Sequence, residues 1–145
     1  MIFTFRPGPK PVLPPNEKIK KISIYGNGLV AWGLTGGTHH VLTVLETENK
    51  RFILLEVEKC EDGNIHINIA TGSSESEVLE QRVNTKKPAK RWNSEDVDAP
   101  TSAAQAVIDE YHGNTYGILD RDCRRFVDDV CENCGAKIRA KWGLF

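Results

Sequence analysis

The chain has 145 residues, 39% hydrophobic and 27% charged, which fits one globular core and excludes a disordered or fibrous chain. Its 19 basic and 20 acidic residues leave a net charge of −1, which excludes a global field drawing it to nucleic acid or to an anionic membrane. No apolar run approaches the roughly 20 residues of a spanning helix, and no signal-peptide layout opens the chain. The expectation is therefore a cytoplasmic protein with no transmembrane segment, its cysteines (Cys60, Cys123, Cys131 and Cys134) reduced.

Residues 6–15 hold five of the seven prolines and predict an extended, poorly packed N-terminal arm over 1–17, with Pro11 to Pro14 forming a PxxP match. The single domain is expected over 18–145. Lys18 to Tyr25 alternates, with Ile22 and Ile24 on one side and Ser23 and Tyr25 on the other, as in a strand. Gly26-Asn27-Gly28 signals a turn, and Leu29 to Leu34 is a short apolar piece ended by Gly36-Gly37. Thr38 to Glu46, Arg51 to Lys59 and Ile65 to Ala70 read as three further strands joined by polar turns, an antiparallel meander. Residues 71–100 read as a long polar connection with one strand near Val78 to Val83. Two helices follow. Ala103 to His112 is capped by Thr101 or Ser102 and ended by Gly113. Arg121 to Cys134 is capped by Asp120 or Asp122 and ended by Gly135. The fold class is α+β, a small antiparallel sheet packed against two or three helices.

Cys123 falls in the first turn of the last helix. Unpaired N–H groups there carry partial positive charge, which favours a thiolate and can hold a developing oxyanion. Arg121, Arg124 and Arg125 add positive charge. The plain alternative is that Cys123 belongs to the apolar stripe of Phe126, Val127, Val130 and Cys134. A cysteine nucleophile needs a base. His39 and His40 open a strand and point to opposite faces of it, so one of them can serve. His66 lies opposite the isoleucines and is expected to face solvent, while His112, at a helix end, is expected to be structural, a site where a cation suits the helix dipole.

Tyr116 to Val130, with a tyrosine seven positions before Cys123 and Phe126-Val127 at plus three and plus four, resembles the cysteine box of the lecithin retinol acyltransferase-like family. That family includes the HRAS-like suppressor phospholipases and some picornaviral 2A proteins. His39-His40-Val41-Leu42-Thr43-Val44 resembles its histidine strand, with His39 in the place of the base. The resemblance implies a circularly permuted papain-like fold of the NlpC type and a cysteine-dependent hydrolase or acyltransferase. It implies Cys123 as nucleophile, His39 or His40 as base, and Asp122, Arg124 and Tyr116 near the oxyanion and substrate. Asp122 stands where the family has asparagine, and Arg124-Arg125 where it commonly has Glu-His. The family's third polar residue aligns with Leu55, and the adjacent Glu56, on the opposite face, is the candidate for orienting the histidine. The expected substrate is a lipid, peptide or other acyl compound. A protein partner is left open, and no cofactor, metal or nucleic acid is expected.

Three rival readings stand beside this one. Cys131-Glu132-Asn133-Cys134 is a CxxC that Cys60 and Cys123 would have to complete as a zinc site, at a poor spacing. The same fold can also serve as a non-catalytic binding module. Lys86, Lys87, Lys90 and Arg91 with Trp92 form a basic cluster, offset by Glu95, Asp96 and Asp98.

Overall fold

Alternating aliphatic residues build a sheet that is buried on both faces. The computed structural model describes residues 5–26, 40–83, 89–117 and 121–140. Four of its strands are β1 (Lys18–Gly26), β2 (Val41–Thr47), β3 (Phe52–Lys59) and β4 (Ile65–Gly72). A fifth, β5 (Lys90–Pro100), pairs with β1, and the antiparallel order is β4-β3-β2-β1-β5. One face carries Ile22, Ile24, Val41, Leu45, Ile53, Leu55, Ile65 and Ile67 into the main core. A bulge between Ile19 and Lys21 lets Ile19 join that face despite its odd position. The other face carries Tyr25, Leu42, Val44, Leu54 and Ala70, covered by Val78.

The main face is closed by α2 (Thr101–Tyr111) and α3 (Cys123–Asn133). Their packing includes an edge-to-face pair of Tyr111 and Phe126, ring centroids 5.3 Å apart. The Tyr111 hydroxyl donates to Asp129 at 2.6 Å, so this buried phenol is satisfied. Gly113 and Gly135 follow the two helices with φ of 85° and 80°, as expected of glycines that end helices. The cap of α2 differs from expectation. Pro100 is its N-cap, and the Thr101 hydroxyl donates instead to the Pro14 carbonyl at 2.7 Å. No described helix is long and apolar enough to cross a membrane.

Residues 71–100 are not a plain connection. Glu75–Leu79 forms a short helix, α1, where a strand was expected. The Ser74 hydroxyl caps it by accepting the Glu77 N–H at 3.1 Å, and the Glu77 carboxylate reaches back to accept the N–H of Ser73, the residue before the cap, at 3.0 Å. The acidic stretch after Trp92 lies in β5, an edge strand. Charge is tolerated at an edge and discourages pairing with another chain. Asp98 meets Lys20 at 2.9 Å, and Glu95 accepts the Lys137 and Ile138 N–H groups.

The proline-rich arm is packed, not loose. Leu13 is 3% exposed. Gln105 on α2 accepts the Leu13 N–H at 2.7 Å and donates to the Pro11 carbonyl at 3.0 Å. Lys10 pairs with Asp109 at 3.0 Å.

Candidate active site

Cys123 is the first residue of α3. Asp122 is the N-cap, extended in backbone, and its side chain accepts the Arg125 N–H at 2.8 Å. This carboxylate is buried and occupied in capping the helix that carries Cys123. Cys123 is 7% exposed and touches the main core, yet it is not enclosed by aliphatic groups alone. His40, one residue before β2, makes a side-chain hydrogen bond to it. The other partner of His40 is Glu56 on β3, with Nε2 2.8 Å from Oε2. That engagement leaves Nδ1 for the sulfur.

Glu56 is 1% exposed. Its second oxygen accepts the Val83 N–H at 2.8 Å. A buried carboxylate needs such partners, and with both oxygens engaged its direction is fixed. The His40 imidazole is about one-third exposed on the solvent side. Burial alone would push its pKa down. The contacts with Cys123 and Glu56 outweigh burial and raise it to about 9. The ring is therefore held toward its imidazolium form at neutral pH.

Tyr116 completes the cluster. Its hydroxyl faces the Cys123 backbone N–H, which donates to it. Burial first, then the negative character of Cys123 and Asp122, push its pKa up to about 12, against the pull of that N–H and of Arg124. The phenol thus keeps its proton through the physiological range. The ring lies under the Lys59 ammonium, 5.6 Å from its centroid.

The fold brings Cys123, His40, Glu56, Asp122 and Tyr116 together, and Arg124 acts on Tyr116 through its charge. His39, which the family resemblance puts in the place of the base, lies outside the described residues. His66 does not simply face solvent: its Nδ1 accepts the Gly8 N–H at 3.1 Å. His112 is structural as expected, although its bonds differ from those of a helix-end cation. Its Nδ1 accepts the Ile67 N–H at 3.1 Å, and its Nε2 donates to the Gly8 carbonyl at 2.8 Å. Sequence reasoning missed the Val83 N–H, a backbone group that no residue type announces.

Cys131 and Cys134 are buried free thiols on the last turn of α3. Burial pushes both up, to about 12 and about 11. Among the described residues, no three His, Cys, Asp or Glu side chains are grouped to hold a metal ion. Of the basic cluster, Lys86 and Lys87 lie outside the described residues, while Lys90, Arg91 and Trp92 open β5. No family model, curated protein or solved structure matches the chain, so the chemistry rests on the geometry of the site.

Proposed function

We propose that the protein is a cysteine-dependent hydrolase or acyltransferase that works through an acyl-thioester on Cys123. One observation carries the reading: a single imidazole, His40, lies between a helix-start sulfur and a buried carboxylate that fixes its direction. That histidine precedes the cysteine helix in the chain. The order supports a circularly permuted papain-like arrangement and a relationship to lecithin retinol acyltransferase-like proteins.

In this reading His40 holds the thiol proton and the Cys123 thiolate attacks a carbonyl carbon. The carbonyl electron pair moves onto oxygen, where the Tyr116 hydroxyl, itself held by the Cys123 N–H, donates to it. Collapse of the adduct re-forms the carbonyl and breaks the bond to the leaving group, which takes the proton from His40. Water or another acceptor, deprotonated by His40, then attacks the thioester and releases Cys123. Glu56 keeps Nε2 engaged throughout, so Nδ1 stays aimed at the sulfur.

The test is to mix the protein with an activated acyl ester and read the mass of each cysteine-bearing peptide. An acyl adduct on Cys123 that turns over, and that forms about 10²-fold more slowly in His40→Ala, is expected. Equal, slow acylation of Cys123 and Cys60 in the parent would remove the enzyme reading and favour a binding module on the same fold.

A further inference from the structure

Two histidines outside the active site hold the N-terminal arm. His66 on β4 and His112 at the C-cap of α2 stand edge to face, with ring centroids 4.9 Å apart. Between them they bind both backbone groups of Gly8. The Gly8 N–H donates to His66 Nδ1 at 3.1 Å, and His112 Nε2 donates to the Gly8 carbonyl at 2.8 Å. The far nitrogen of His112 accepts the Ile67 N–H at 3.1 Å. Both tautomers are therefore fixed: each ring presents a lone pair at Nδ1 to a backbone donor.

We propose that this pair is an acid-released latch for the N-terminal arm. A proton added to either ring lands on Nδ1 and meets an N–H instead of giving it an acceptor. Adding one to each ring also places two cations side by side. Burial, and then the neighbouring His112, already hold the His66 imidazole below its ordinary range. The sign follows: as pH falls below about 6.5, a free chain takes up protons that the latched one resists, and the latched state loses stability.

The surrounding charges do not reverse this. Glu58 pairs across the sheet with His66 and favours its protonation, while its Oε1 is held by Asn68 at 3.0 Å. From the end of β3 and its turn come Lys59 and Asp62, and from the arm Arg6 and Lys10. From α2 come Glu110 and Asp109, the latter tied to Lys10. The hydrogen bond from Gln105, then Lys10, hold Asp109 below the usual carboxylate range, so that tie outlasts the imidazoles on acidification.

The experiment follows the intact chain by NMR from about pH 7.5 to about pH 5, reading the histidine ring shifts and the exchange protection of the Gly8 amide. Protection, corrected for intrinsic exchange, is expected to fall about tenfold per pH unit once His66 begins to protonate. Histidines that titrate while Gly8 stays protected overturn the proposal. Asp109→Asn must keep the step, and its loss there would assign the release to the ion pair and overturn the latch. His66→Gln with His112→Gln presents the same donors and acceptors without titrating. A flat protection profile supports the latch, and an unchanged step in that variant overturns it.

Discussion

Glu56 gives one oxygen to His40 and the other to Val83, so Glu56→Gln keeps the shape of the site while removing a charge that helps hold the imidazolium. His40 should then lose its proton at lower pH. The alkaline limb of kcat/KM, expected near pH 9 in the parent, is predicted to move down by about one unit. A limb that stays in place would reduce Glu56 to packing. Tyr116→Phe separates two reactions of the same sulfur. Acylation by an ester should slow about 10²-fold, because it builds an oxyanion that has lost a donor. Alkylation by iodoacetamide builds none and should change by no more than about twofold. The helix start, its Asp122 cap and Cys123 were legible because capping is local chemistry. The partner of the sulfur was not, because alternation gives the face of a residue within its own strand but not its register against the next. Continuing the Thr43–Leu55 and Val44–Leu54 pairs by one step sets Leu42 level with Glu56, and His40 shares the face of Leu42. There Glu56 meets the His40 ring at 2.8 Å.

Among the elements, β5 is held by shape as much as by hydrogen bonds. Tyr25 pairs with Arg91 and Ile24 with Asn93, so Trp92 is the extra residue of a bulge. Its indole lies against Gly26, where an added Cβ would come within 2.0 Å of Cζ2. Gly26→Ala is therefore expected to lower stability by about 1–3 kcal/mol in denaturant titrations. Trp92→Leu in the same chain should recover part of the loss, and additive losses would mean the ring is not the obstacle. The strand itself was hidden in the sequence because Asn93-Ser94-Glu95-Asp96 has low strand propensity, and pairing with β1 overrides that preference. The turn of α1 was readable from Ser74 and Glu77, but five residues are too few to show a helical period. The meander and both long helices were legible because their apolar repeats are long.

At the scale of the whole molecule, two histidines bend the pH dependence of stability in opposite senses. His40 is raised, so its contribution is complete below about pH 6.5 and is lost as pH rises through about 9. His66 is lowered, so its contribution is present above about 6.5 and fades as pH falls. Thermal unfolding should be most resistant near neutrality, and His40→Ala should flatten the alkaline side alone. An alkaline slope that persists in that variant would place its origin elsewhere. The strand order has a consequence for synthesis. β2, β3 and β4 can pair as they leave the ribosome, but β1, made before them, lacks one of its two neighbours until residue 100 has emerged. The sulfur comes later still, 123 residues into the chain, and meets its imidazole only when α3 docks. A nascent chain stalled short of that helix is already a partly paired sheet that lacks Cys123, so the sulfur–imidazole pair assembles only after the sheet has begun to form.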